Sequence, residues 1–331
     1  MAALYPLHLH LVSTPLRLVR AVALVLPWLA YLLLVDAVLS LLLPFKLFAP
    51  TAVYNASSVL AESVWAWIQA VFTRCNRARI VVSTSCPLPR AESAIVVSNH
   101  VAWSDFYMIQ QLALHQGMLG RCRWFAKKSL RWVPFLGWGL WAMGMPLVSR
   151  RWTTDRLELD RVFRGIIHRQ WPVWLVSYSE GTRFTSAAHT AAVAYSKSHL
   201  RPAPIHTLLP RPKGFVAAVT ALRAAPQVRA VYDVTIAYSK AGSPLRFQAA
   251  GAPSFWQTLV TPNFYEAGWR TFVHVDRFEL SQLPEDDDGL AAWLDGRWVA
   301  KGQRLEGLRE ALAKGESWVD DQGLGGVVLE K

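Results

Sequence analysis

The sequence predicts an α/β chain: a mixed, largely parallel sheet flanked by helices and preceded by an N-terminal membrane-embedded helical segment. Three observations predict it. From Ile80 onward, short apolar runs alternate with stretches of helical periodicity, the pattern of strand–helix units whose strands lie parallel. The run Ala94-Ile95-Val96-Val97 is apolar at every position, as a strand buried on both faces requires. Ahead of both, Ala21 to Phe45 is an apolar stretch long enough to cross a hydrocarbon core of about 30 Å.

Residues 1–20 read as a short leader carrying His8, His10, Arg17 and Arg20. The Ala21–Phe45 stretch is too long for a cleavable signal, and no small-residue cleavage site follows it. Pro27, Asp36 and Pro44 interrupt it. A charge near the middle of a span is costly, so Asp36 is expected inside a helix bundle or near an interface. Thr51 to Phe72 mixes Val59, Leu60, Val64, Trp65, Trp67, Ile68 and Val71 with Glu62 and Gln69, and Arg74, Arg77 and Arg79 follow. That composition suits an amphipathic helix ending at headgroup level. Either a single span or a helical hairpin entering and leaving on one face accommodates the two segments. The hairpin keeps Arg17, Arg20 and the basic region downstream on the cytosolic side. The sequon Asn55-Ala56-Ser57 is too close to the bilayer to be expected in use.

Strands are expected at Ile80–Val82, Ala94–Val97, Trp124–Ala126, Met145–Val148, Val173–Tyr178, Val228–Tyr238 and Thr271–Val275. Pro146 lacks an amide hydrogen, so its strand should lie at an edge or be broken. Helices are expected at Ser104–His115, at Thr154–His168, and at Ser186–Leu200 within a long insertion from Thr185 to Pro212. The acids of Pro284-Glu285-Asp286-Asp287-Asp288 read as the cap of a last helix through Trp293 and Leu305. From Gly315 the tail is Gly-rich and expected to be mobile. Four regions result: a membrane anchor over 1–78, a sheet-and-helix core over 79–245, a C-terminal region packed on the core over 246–314, and a tail over 315–331.

Composition narrows the partners. A net charge of +12 with 53% hydrophobic residues and a mean hydropathy of +0.20 fits a protein held against anionic headgroups. Nucleic acid would also answer such a charge, but no helix–turn–helix, zinc-finger or ribonucleoprotein pattern is present, so no nucleic-acid partner is expected. Cys75, Cys86 and Cys122 are odd in number and widely spaced, which argues against a disulfide framework. No Cys or His pair stands at metal spacing, and no metal is expected.

The stretch from Val96 to Asp105 organises the chain. The apolar run stops at Ser98-Asn99, and a helical pattern begins near Ser104, a candidate N-cap, with Asp105 in the first turn. His100 and Asp105 are five residues apart, roughly 140° around a continuous helix, so they meet only if His100 lies in the preceding loop and folds back. A histidine held by a carboxylate is a general base for a hydroxyl. The plainer alternative is a loop histidine beside an N-terminal helix acid. Ser177 and Ser179 sit at a strand end, but no Gly-x-Ser-x-Gly elbow surrounds them, which argues against an acyl-enzyme.

Asn99-His100-x4-Asp105 resembles the signature of the glycerolipid acyltransferases. Tyr178-Ser179-Glu180-Gly181-Thr182-Arg183-Phe184-Thr185 is similar to that family's Glu-Gly-Thr-Arg motif. Between them, Lys127 to Trp138 and Gly144 to Arg150 resemble two further blocks. Leu208 to Phe215 and Val231 to Thr235 follow in the family's order, and the Leu-Pro-Arg-x-Lys-Gly-Phe form resembles its eukaryotic branch. Trp269 to Leu305 is similar to that branch's C-terminal region. Met145-Pro146-Leu147 departs from the usual run of its block, and the extra C-terminal hydrophobic segments of longer members are not seen.

The resemblance implies direct acyl transfer from acyl-CoA, as co-substrate with no bound cofactor, to the hydroxyl of a lysophospholipid, lysophosphatidate being the default. His100 would be the base and Asp105 its orienting carboxylate. Arg183 would bind the substrate phosphate through its planar fork, Gly181 and Thr182 would line the same loop, and Glu180 would orient Arg183 or a substrate hydroxyl. Lys127, Lys128 and Arg150 would be further cationic ligands, Lys213 lies in a matching block, and Asp233 would be structural. Amides beside Gly181 or at the start of the Ser104 helix would hold the oxyanion. The setting implied is a membrane, the endoplasmic reticulum, with the catalytic region facing the cytosol. Open alternatives are remodelling of lysophosphatidylinositol or lysocardiolipin, a CoA-independent transacylase, and a lipid-binding protein without turnover.

Overall fold

The computed structural model describes residues 7–149, 151–241, 247–316 and 327–328. The chain opens with α1 (Leu7–Leu41) and α2 (Pro50–Ala70). α1 is longer than expected: it begins within the anticipated leader and continues through Pro15 and Pro27. A proline removes one backbone hydrogen bond, a loss that apolar helices tolerate where neighbours pack around them. Within it, Pro15–Leu41 is long and apolar enough to cross a membrane. Leu26, Leu29, Leu33 and Leu34 on it are exposed.

The two helices form an antiparallel hairpin. Arg20 Nη1 donates to Asn76 Oδ1 at 2.8 Å, Trp28 Nε1 to the Val64 carbonyl at 3.0 Å, and Tyr31 meets Ser63 at 2.9 Å. The opposite face of α2 is buried against the rest of the protein. Tyr54 donates to the Pro172 carbonyl at 2.7 Å, Arg123 to Ser58 Oγ at 2.8 Å, and Gln69 to Gln111 at 2.9 Å. α2 is therefore a core-packing helix along its length, with α1 laid on its outer side.

The remaining elements are β1 (Ile80–Thr84), β2 (Ser93–Ser98), α3 (Asp105–His115), β3 (Cys122–Trp124), β4 (Ala126–Lys127), α4 (Leu136–Ala142), β5 (Leu147–Val148), α5 (Trp152–Arg169) and β6 (Trp174–Tyr178), followed by α6 (Ser186–Ser198), α7 (Pro212–Leu222), β7 (Val228–Lys240), α8 (Phe255–Val260), β8 (Trp269–Glu279), α9 (Asp287–Ala313) and β9 (Val327–Val328). The main sheet runs in the order β3-β6-β2-β7-β8-β1-β9. β2 lies between β6 and β7 and is parallel to both, while β7 and β8 pair antiparallel from Ala230–Glu279 to Lys240–Trp269. The mixed, largely parallel sheet is as expected.

Both faces are covered, which explains the unbroken apolar run of β2. Val96 and Ala94 pack with Phe72, Tyr107 and Met108 beneath α2 and α3. Ile95 and Val97 pack with Phe163, Val219, Leu294 and Trp298 beneath α5, α7 and α9.

Several details differ from expectation. The strand placed at Trp124–Ala126 splits into β3, in the main sheet, and β4, which pairs only with β5. Pro146 stands just ahead of the two-residue β5 and contributes only its carbonyl, to Ala126 N at 3.0 Å. Asp286 caps α9 by accepting from Gly289 N at 2.7 Å, as the acidic cluster suggested. In the tail, the β9 backbone pairs with β1 at Val81–Val328 and Val82–Val327, and residues 317–326 and 329–331 lie outside the described residues.

Candidate active site

The site lies at the carboxyl ends of β2 and β6, where an open parallel sheet leaves loops free to carry chemistry. Asn99 pins the exit of β2: its amide donates to the Ile236 carbonyl at 2.9 Å and its Oδ1 accepts from Ile236 N at 2.8 Å. The chain then turns, so His100 lies in the loop and folds back over the start of α3. Its Nδ1 is 2.7 Å from Asp105 Oδ2. Asp105 is fully buried, whereas the His100 side chain is 21% exposed.

Asp105 is held by four groups besides the helix. The Val101 amide donates to Oδ2 at 2.7 Å, the Ala102 amide to Oδ1 and Oδ2 at 3.1 Å, and the Tyr238 hydroxyl to Oδ1 at 2.8 Å, with His100 completing the set. Every neighbour is a donor, so the carboxylate acts as an acceptor and the shared hydrogen sits on His100 Nδ1. In that tautomer Nε2 carries the ring's free lone pair. The imidazole also stacks on Tyr178, centroid to centroid 4.1 Å at 12°. Burial pushes the Tyr178 and Tyr238 phenols well above their ordinary range, so both stay neutral. Ser104 makes no capping hydrogen bond. The Asp105 carboxylate instead accepts from the Val101 and Ala102 amides of the loop ahead of α3, which commits those two donors.

The loop after β6 closes over the same place. Phe184 N donates to the His100 carbonyl at 2.7 Å, and Gly181 N donates to the Tyr178 carbonyl at 2.9 Å. Gly181 sits at φ +71°, and a Cβ there would come within 3.0 Å of the Arg211 side chain. The left-handed backbone is what favours glycine here.

Glu180 corrects an expectation. Its Oε2 accepts from His100 N at 3.2 Å and its Oε1 from Trp298 Nε1 of α9 at 3.1 Å, with the residue 2% exposed. Both oxygens face inward, so the side chain braces the His100 loop and Trp298 rather than Arg183. Burial pushes its carboxyl up to about 8, against hydrogen bonds from Trp298, Leu208 N and His100 N that favour the charged form.

Two family models match the chain, the acyltransferase model over residues 79–239 and the acyltransferase C-terminus model over residues 268–313. The chain belongs to the glycerolipid acyltransferase family. It is 34% identical over 218 residues to 1-acyl-sn-glycerol-3-phosphate acyltransferase 2 of Arabidopsis thaliana, covering 65% of this chain and 51% of that protein. It is 34% identical over 214 residues to 1-acyl-sn-glycerol-3-phosphate acyltransferase delta of Mus musculus, covering 63% and 51%. The chain thus spans about half the length of these curated relatives. Among solved structures, the 1-acyl-sn-glycerophosphate acyltransferase PlsC of Thermotoga maritima superposes with a TM-score of 0.47 at 16% identity, covering 83% of this chain and 96% of that one.

Within this acyltransferase fold the remaining candidates divide. Thr182 and Arg183 are exposed on the β6 loop, and among the described residues the Arg183 guanidinium has no hydrogen-bond or ion-pair partner. Lys127 is exposed on β4; Lys128 is half-buried and lines a groove of about 540 Å³ with Arg131, Trp138, Trp141 and Arg161, which His100 does not line. Arg150 lies outside the described residues. Lys213 is exposed in the first turn of α7.

Asp233 has the structural role expected of it. It is fully buried, paired with the buried Lys301 and with Arg297 Nε at 2.8 Å, while Arg297 and Arg304 also meet Asp276 at 2.5 and 2.9 Å. This network fastens α9 to the sheet and so holds Trp298 against Glu180. Tyr178, Arg211, Tyr238 and Trp298 complete the site and were not singled out from the sequence. Tyr178 and Arg211 do lie inside the motif blocks, whereas nothing local to Tyr238 or Trp298 marks them.

Proposed function

We propose that this chain transfers an acyl group from acyl-CoA to the free hydroxyl of 1-acylglycerol-3-phosphate, giving phosphatidate and free CoA. The observation that carries the reading is the 2.7 Å contact between His100 Nδ1 and Asp105 Oδ2, which leaves Nε2 available at the open end of the sheet. Nε2 takes the hydroxyl proton as the oxygen attacks the thioester carbonyl carbon, forming the new C–O bond. The tetrahedral intermediate collapses, the C–S bond breaks, and the imidazolium returns the proton to the departing CoA sulfur. Asp105 stabilises the imidazolium between the two transfers. The amides of Thr182 and Arg183, uncommitted among the described residues, are the donors assigned to the oxyanion.

Arg183 is assigned to the acceptor phosphate, because an exposed guanidinium beside the histidine loop offers two parallel donors to two phosphate oxygens. The names of the relatives support the choice of acceptor. The exposed apolar face of α1 supports a membrane setting, and we assign the catalytic region to the cytosolic side of the endoplasmic reticulum. The test is release of free CoA from acyl-CoA with a panel of acceptors. Release with lysophosphatidate well above that with lysophosphatidylinositol or lysocardiolipin supports the assignment. Preference for either of the others overturns the acceptor, and acyl transfer between phospholipids without CoA overturns the donor.

A further inference from the structure

An aromatic cluster beside the catalytic loop has no role in the chemistry above. Trp103, three residues beyond His100, is 39% exposed and meets Phe255 edge-on at 4.3 Å between ring centroids. Phe255 and its neighbour Trp256 open α8 and are 46% and 53% exposed. α8 falls in residues 240–267, between the stretches matched by the two family models. It is nevertheless built firmly: Ser254 and Gln257 form a reciprocal capping box, and the Thr258 carbonyl accepts from Asn76 at 2.6 Å.

That last bond ties α8 to the membrane hairpin. Asn76 also accepts from Arg20, which sits within the exposed apolar face of α1 that includes Leu18, Val22, Leu26, Leu29 and Leu33. Arg17, Arg74, Arg77 and Arg79 are exposed around this end of the hairpin. Exposed indole and phenyl rings beside a ring of arginines, continuous with an apolar helix face, match the composition of a headgroup boundary.

We propose that Trp103, Phe255 and Trp256 form a lip that seats the mouth of the catalytic site in an anionic phospholipid surface. α1 supplies the anchor and the lip sets the depth and tilt, so that a lysophospholipid passes from the bilayer to His100 without crossing water. The inference rests on the proposed acyl transfer for its purpose but not for its first test.

That test uses the full chain on vesicles of phosphatidylcholine and phosphatidylserine with brominated acyl chains. Quenching in wild type minus that in Trp256→Phe isolates one indole among sixteen. Loss of a quenched component in the variant is expected; equal quenching in the two proteins overturns the lip whether or not the chain is active. The second test is kinetic. Phe255→Ser/Trp256→Ser should raise the apparent KM for long-chain lysophosphatidate embedded in vesicles about ten- to hundredfold, the scale of two lost aromatic burials. A short-chain, monomerically soluble lysophosphatidate should be acylated at the wild-type rate within about twofold. Equal losses on both substrates, or none on vesicles, would overturn the proposal.

Discussion

The Tyr238 hydroxyl, on β7, donates to Asp105 Oδ1 at 2.8 Å, the oxygen opposite the one that faces His100. Residues 133 positions apart in sequence thus hold the same carboxylate from two elements. Hydrogen bonds to charged groups contribute about 1.5–3 kcal/mol. Tyr238→Phe should therefore lower kcat about tenfold while the protein stays folded by circular dichroism. An unchanged rate would reduce the contact to packing.

Asp105→Asn places an amide where four groups donate. The amide nitrogen must face a donor or displace one, and the histidine loses the partner that fixes its tautomer. A loss of about 10²–10⁴ in kcat is expected with lysophospholipid binding retained. Activity near wild type, measured as CoA release, would leave Asp105 as a helix-start acceptor and nothing more.

Glu180 makes stability depend on pH. Its carboxyl is raised from an ordinary value near 4.5 to about 8, so the folded state holds a proton that the unfolded chain releases. The contribution is fully present below about 4.5 and is lost as pH rises towards about 8. Glu180→Gln cannot ionise. Denaturation midpoints at pH 5 and pH 8.5 should show the variant gaining on wild type at the higher pH, whatever constant offset its amide introduces. A parallel pH response in the two proteins would contradict the buried titration.

Arg183→Lys keeps the charge but loses the two-pronged contact. The KM for lysophosphatidate should rise about ten- to hundredfold, the value of one charged hydrogen bond, with that for acyl-CoA little changed. A rise confined to acyl-CoA would move Arg183 to the donor site.

The sheet and the His100–Asp105 pair were legible because both are local signals: an apolar run, a stop, and an acid at the head of a helix. α4 was not, because Gly137 and Gly139 weaken its helical pattern and Phe135 enters it at φ +60°. α7 was obscured for another reason, since it starts at Pro212 inside the Leu208–Phe215 motif, and its apolar face of Phe215, Ala218, Val219 and Leu222 runs on past it. The role of Glu180 was hidden by distance. Its partner Trp298 lies 118 residues away on a helix held to the sheet by core packing and by the pairing of Lys301 and Arg297 with Asp233. No spacing rule reports such a contact.

In the proposed reaction His100 removes the acceptor proton. Free CoA release from acyl-CoA and lysophosphatidate, compared between wild type and His100→Ala, tests it most directly. Release by wild type should depend on the acceptor, and the variant should fall by about 10²–10⁴ with binding of lysophosphatidate preserved. A His100→Ala protein that releases CoA at close to the wild-type rate would contradict it.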